Sequence, residues 1–303
     1  MILEHVHKGR IHGQMHPLKG DSGGTVSGRF SYSTPNLQQV PARDPVLGPM
    51  VRGLFLPEEG CAWGAFDYSQ QEPRLTVHYA NQLNLNGAEE AVREYRDDDA
   101  DFHQIVADMA GISRKDAKII NLGLSYGMGK AKLLKQLGMN ELEAEELFNN
   151  YHKRVPFIRE LTQTCSRRAE NIGHVKTLLG RKCRFNMFEP RDRKDIPLRL
   201  EEAKQQYGGN LRRAFTYRAF NRLIQGSAAD MTKKAMLDLW KEGIVPHIQV
   251  HDELDISVKN EQETRIITEL MENCVKLSLP IKVDSELGSN WGNATQTPQQ
   301  FWS

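Results

Sequence analysis

No run of about 18 apolar residues occurs, so the usual signature of a membrane-crossing helix is missing. The opening Met1-Ile2-Leu3-Glu4-His5-Val6 gives way to polar residues where a secretory leader would place its apolar core, and a cytoplasmic setting is the default expectation. Cysteine is scarce. Cys61, Cys165, Cys183 and Cys274 lie far apart and have none of the paired spacings of a zinc ribbon or finger, which points to free thiols. Charge imbalance is lacking too: 40 Lys and Arg stand against 39 Asp and Glu. The overall basicity that marks many nucleic-acid-binding domains is therefore absent. There is no internal repeat and no long low-complexity segment.

What is present is enough apolar sequence, 39% of 303 residues, to bury the core of one large or two medium domains. The balanced charge is unevenly spread. Gly87 to Asp101 is rich in acids, whereas Arg181 to Arg218 is studded with Arg and Lys. Such segregation suits one face toward phosphates and another toward solvent, although each run alone also reads as an ordinary solvated face.

The first fifty residues, rich in Gly, Pro, Ser and Asn, predict short strands and loops. Trp63 to Asp67 reads as a strand ending in a carboxylate, followed by a helix in which Pro73 is tolerable only in the first turn. Helical spacing runs from Asp101 to about Ile172, and another helix is expected from Leu211 to Trp240. Two short apolar runs around His251-Asp252-Glu253 predict a hairpin. A helix over Glu261 to Leu277 and a strand at Ile281 to Val283 complete an α+β outline.

Asp67 and Asp252, each at a strand end, lie 185 positions apart, so only the fold can bring them together. Phosphoryl transfer needs charge neutralised on the attacking and leaving oxygens, which two divalent ions about 3.5–4 Å apart on carboxylates supply. Glu253 is either a supporting acid or a solvated hairpin residue. Arg114, Lys118, Leu122 and Tyr126 recur every four residues and so follow one helix face. Two cations on that face suit a triphosphate and a ring suits a base, but a basic surface helix has the same pattern.

The segments Asp67 to Arg74, Arg114 to Gly127 and Val250 to Glu253 resemble motifs A, B and C of family A DNA polymerases, in that order. Ser27-Gly28-Arg29-Phe30-Ser31, Pro35 to Pro41, Gly180-Arg181, and Asn221 with Gln225 to Asp230 extend the likeness over nearly the whole chain. The resemblance implies a right-hand polymerase fold of class α+β: an antiparallel-sheet palm at 1–75 and 211–303, and helical fingers at 76–210. It implies template-directed DNA synthesis with two Mg²⁺ ions, Mn²⁺ being an alternative, acting on primer–template DNA and dNTPs. Asp67 and Asp252 resemble the metal ligands and Glu253 the acid beside them. Arg114, Lys118 and His103 resemble the triphosphate contacts, with Lys118 also among the catalytic residues. Tyr126 resembles the ring near the templating base, and Glu72 the residue closing the space beside the sugar 2′ position. Arg29, Asn221, Gln225 and His251 resemble primer–template contacts. Asn36 and Gln38 join them, although a Pro-Asn turn explains Asn36 without DNA.

Two positions depart from the family pattern. Leu122 stands where relatives place Phe or Tyr, which puts sugar discrimination in question, and Pro73 replaces an aliphatic residue. The likeness begins close to the N-terminus, so the thumb and 3′–5′ exonuclease domain are expected on a separate polypeptide, or absent from a truncated product. The short His103 to Arg114 stretch leans toward phage members. Competing readings are a non-catalytic nucleic-acid-binding subunit derived from a polymerase and a single-subunit RNA polymerase. Intact Asp67, Asp252, Arg114 and Lys118 weigh against the first, and Glu72 with Gln225 to Asp230 against the second.

Overall fold

The structure is a computed structural model and describes residues 3–17, 25–42, 44–97, 101–104, 107, 111–125, 135, 138 and 140–303. Two compact units emerge, one from Met1–Gln71 with Ser227–Ser303 and one from Glu72–Gly226. None of the described helices is long and apolar enough to cross a membrane.

The first unit opens with β1 (Val6–His7) and β2 (Arg10–Ile11), then β3 (Gln14–His16) paired with β4 (Ser31–Ser33), and α1 (Leu47–Arg52). Its centre is β5 (Ala62–Tyr68), flanked by β12 (Glu253–Val258) and β13 (Val283–Gly288), with β11 (Ile248–Val250) beyond β12. Every neighbour in this sheet is antiparallel. Side chains alternate across a strand, and both faces of β5 are covered. Phe66 and Tyr68 join Leu254, Ile256, Val258 and Leu287 against Met231, Ala235 and Leu239 of α8 (Ala219–Lys241) and Ile267 and Met271 of α9 (Glu261–Asn273). Trp63 and Ala65 face the other way, onto Tyr32, Leu37, Ile248 and Trp291. Each such fully buried large side chain contributes about 1.5–3 kcal/mol. This two-sided core fixes the register that places the acidic residues described below.

The second unit contains α2 (Gln71–Gln82, whose first residue closes the preceding unit), α3 (Ala88–Asp97), α4 (Arg114–Ser125), α5 (Glu141–Arg154) and α6 (Pro156–Ile172). Pro73 is the third residue of α2, within the first turn where its missing N–H costs nothing. Tyr95 stacks on Phe102 at 5.5 Å, the buried Arg74 lies over the Tyr95 ring at 4.6 Å, and Phe157 meets Phe102 edge-on. Beyond α6 come the hairpin β6 (His174–Lys176) and β7 (Lys182–Arg184), then β8 (Met187–Pro190), β9 (Leu198–Arg199), α7 (Leu200–Tyr207) and β10 (Leu211–Arg213). The last three strands form one antiparallel sheet in the order β10–β8–β9. The chain ends with α10 (Pro298–Trp302). All four cysteines are free thiols, and only Cys61 is not buried.

Three expectations change. The helix predicted from Leu211 starts at Ala219, because Leu211 to Arg213 pair with Pro190 to Phe188 and Phe215 turns the chain with φ +61°. The helix from Glu261 stops at Asn273, short of Leu277, where the Glu272 carboxylate accepts the Val283 N–H at 3.0 Å and ties the helix end to the sheet. The final strand begins at Val283 and runs to Gly288. It is an edge strand whose Asp284, Ser285 and Glu286 do not read as an apolar run.

Candidate active site

Sheet register builds an acidic row. Asp67 on β5 lies opposite Glu253 on β12 and opposite Asp284 on β13, and directly opposed residues in an antiparallel sheet share a face. Asp252 precedes Glu253 in the turn between β11 and β12, where His251 takes φ +59°. The Tyr68 N–H reaches the Asp252 carbonyl at 3.4 Å, so the two aspartates come from adjoining strand ends. Asp67 is exposed and Asp252 half-buried.

The carboxyls behind this pair are strained electrostatically. Burial pushes the Glu253 carboxyl above its usual range, Arg52 partly offsets this, and the Asp252 charge adds to it. Among the described residues no hydrogen-bond partner meets the buried Glu253 Oε1. Asp255, fully enclosed, is raised well above the carboxylate range by burial first and the Glu253 charge second, while Trp63 Nε1 donates to its Oδ1 at 2.9 Å. Burial and the neighbouring charge favour the protonated forms of Glu253 and Asp255. Among the described residues no three ligating side chains converge into a cage. Mg²⁺ accepts one or two carboxylates and fills its remaining positions with water and substrate phosphate, so Asp67 and Asp252 fit a hard divalent ion.

In the second unit, α4 presents Arg114 and Lys118 to solvent and turns Ala117 and Asn121 inward. Arg114 Nε pairs with Asp101 at 2.6 Å, and the other Asp101 oxygen accepts the N–H groups of His103 and Gln104. Burial raises the Asp101 carboxyl, but the Arg114 hydrogen bond and these backbone donors outweigh it and leave the group below its ordinary value. His103 is buried, and this pushes its imidazole down to about 4. Asn121 Nδ2 approaches His103 Nδ1 at 3.2 Å and also donates to the Phe102 carbonyl at 3.0 Å. With Nδ1 accepting, the neutral ring carries its proton on Nε2. Glu72 occupies the first turn of α2 and is half-buried. The backbone of Leu122 belongs to α4. Its side chain and the whole of Tyr126 lie outside the described residues.

The remaining sequence-selected residues divide between the units. In the first, the Arg29 carbonyl accepts from Thr25 Oγ1 at 2.6 Å, and Asn36 caps the short turn Leu37–Gln39 by accepting the Gln38 N–H. Gln38 Nε2 reaches Gln249 Oε1 at 3.1 Å, and Gln249 Nε2 donates to the His251 carbonyl at 2.5 Å, so a hydrogen-bonded chain ends at the turn bearing Asp252. In the second, Asn221 and Gln225 are half-buried on α8, and Asn221 Oδ1 is a buried acceptor that no donor among the described residues meets. Sequence reasoning passed over Gln249, Asp255, Asp284, Asp101 and Asn121. Gln249 and Asp255 were hidden inside apolar runs; Asp284 becomes visible only through strand register.

A family model described as DNA polymerase family A matches residues 1–293. The chain belongs to this family. A DNA-directed DNA polymerase of Pseudomonas phage M6 is 38% identical over 97% of this chain and 48% of its own length. The thermostable DNA polymerase I of Thermus aquaticus is 32% identical over 97% of this chain and 34% of its own. Among solved structures, the polymerase domain of Pol1 from M. smegmatis, in complex with DNA primer-template and dNTP, superposes with a TM-score of 0.77 at 27% identity. That match covers 97% of this chain and 50% of the other. The chain thus spans half or less of the length of these family A relatives, and its mixed helical and antiparallel-sheet fold matches that of a polymerase domain.

Proposed function

We propose that this family A segment carries out template-directed DNA synthesis, adding deoxynucleotides to a primer 3′-OH. The observation that carries the reading is the pairing of β5 with β12, which brings Asp67 and Asp252 to adjoining strand ends beside a cluster of buried, charge-starved acids. Asp67 and Asp252 would hold Mg²⁺, or Mn²⁺ in its place. When bound, the two ions neutralise charge on the attacking and leaving oxygens of an in-line displacement.

The chain's own residues supply the rest. Arg114 and Lys118, exposed on α4, offer cations to the triphosphate, and Asp101 orients the Arg114 guanidinium. His103, uncharged at neutral pH, offers an Nε2–H dipole in place of a charge. Glu72 screens the 2′ side of the incoming sugar, Tyr126 stacks near the templating base, and Leu122 borders the sugar with an aliphatic surface. Arg29, Asn36, Gln38, Asn221, Gln225 and His251 contact primer and template. In this reading the first unit corresponds to the palm and the second to the fingers. Grip on the duplex would come from a thumb outside these 303 residues.

Primer extension on a defined template, with dNTPs and with rNTPs, tests the reading. Template-dependent products with dNTPs alone are expected. Products only with rNTPs would make the chain an RNA polymerase, and none with either would leave it a nucleic-acid-binding subunit.

A further inference from the structure

The β8–β9–β10 sheet with α7 forms a small lobe that the proposed chemistry does not use. We infer that this lobe binds a nucleic-acid single strand, with Tyr217 as the stacking surface and Arg191 and Lys194 as the phosphate contacts. The inference rests on the proposed nucleic-acid function but concerns a separate place in the fold.

A cavity of about 950 Å³ opens between the end of α6, β8, β10 and the turn at 215–217. Its acids are already engaged. Glu189 pairs with Arg212 at 2.9 Å, and Asp195 accepts from Arg193 and from the Tyr207 hydroxyl. Glu170 accepts from Thr216 Oγ1 at 3.3 Å. Arg191 spends its Nε on the Leu211 carbonyl at 3.0 Å, and neither Arg191 nor Lys194 has a carboxylate partner among the described residues. The cavity lining carries four cations, Arg191, Lys194, Arg212 and Arg213, against the three acids Glu170, Glu189 and Asp195, so its formal charge is positive.

The aromatic part is held by specific contacts. Phe215 sits at φ +61°, a conformation that a bulky side chain adopts only when its surroundings impose it. Arg218 lies over the Phe215 ring at 5.1 Å and the Tyr217 ring at 5.3 Å, and its Nε donates to the Tyr217 hydroxyl at 3.0 Å. Tyr217 nonetheless remains 66% exposed. A fixed, exposed ring beside unpaired cations matches a base and its phosphates, since every base has a face to stack and every nucleotide brings a charge. An acidic protein partner would use the cations but leave the ring without a role.

The test irradiates the full chain with a 5-iodouracil-containing single strand, and measures binding of labelled oligo-dT across a salt series. A crosslinked peptide containing Tyr217 is expected. Tyr217→Ala should weaken binding about tenfold with Tyr217→Phe near wild type. Arg191→Ala with Lys194→Ala should lower the slope of log affinity against log salt by about 1.4. Circular dichroism and melting confirm that each variant is folded. Crosslinks confined to other residues, or variants that bind with wild-type affinity and salt slope, overturn the inference. None of these readouts needs synthesis, so loss of extension in Asp67→Asn with the Tyr217 crosslink intact would leave the lobe assignment standing.

Discussion

At the scale of single residues, the carboxyl behind the aspartate pair governs stability in a way its position in the sequence conceals. Asp255 is favoured in its neutral form when folded, because it is enclosed and faces Glu253. The folded state therefore binds a proton that the unfolded chain releases above about pH 4, and stability falls as pH rises through that window toward the raised folded value. Asp255→Asn keeps an oxygen for the Trp63 N–H and cannot ionise. Urea unfolding at pH 5 and pH 8 should show a variant with less loss of stability across that interval, and an unchanged loss would contradict the assignment. His103 titrates in the opposite sense. Burial holds its imidazole at about 4. An NMR titration of its ring should find a midpoint near that value, whereas a midpoint near 6.5 would mean that the ring is solvated and charged just below neutrality.

Elements differ in how far the sequence announced them. The strand ending at Asp67, the hairpin around His251 and Asp252, and the first-turn place of Pro73 were legible, because apolar runs bounded by turn residues and a fixed proline φ leave few alternatives. The acidic row was only half legible. Asp67 and Asp252 stood out as carboxylates at predicted strand ends and through motif resemblance, but Asp284 joins them through the register of an edge strand, and strand register is a property of pairs. The lobe at 187–213 was read partly as helix, since Leu211 and the residues after it keep a helical spacing that β8 overrides by pairing. The end of α6 tests this part of the fold. Gly173 has φ +74°, and a Cβ there would lie 2.7 Å from Arg213 Cζ, whose guanidinium donates to the Phe185 carbonyl. Gly173→Ala should cost about 1–2 kcal/mol from backbone conformation alone. Denaturant unfolding of the intact chain checks this, and unchanged stability would mean that this turn is not held as described.

For the whole molecule, nearly neutral charge sets the expected behaviour on DNA. Much non-specific affinity comes from phosphate contacts with cations and weakens steeply with salt, and a net charge of +1 supplies few of them. These 303 residues alone are therefore expected to extend primers distributively and with strong salt inhibition. Supplying the thumb of a family A relative, fused or in trans, should raise affinity and product length together. Single-hit extension over a salt series checks this, and long products from the 303 residues alone at physiological salt would contradict it. The most direct test of the central claim is single-turnover primer extension by Asp67→Asn and Asp252→Asn under conditions in which the unaltered chain extends. Each change removes one carboxylate charge from the adjoining strand ends, and a loss of about 3 kcal/mol or more in barrier stabilisation, at least about a hundredfold in rate, is predicted with melting behaviour preserved. Extension by both variants at the unaltered rate would show that the two aspartates do not carry the chemistry.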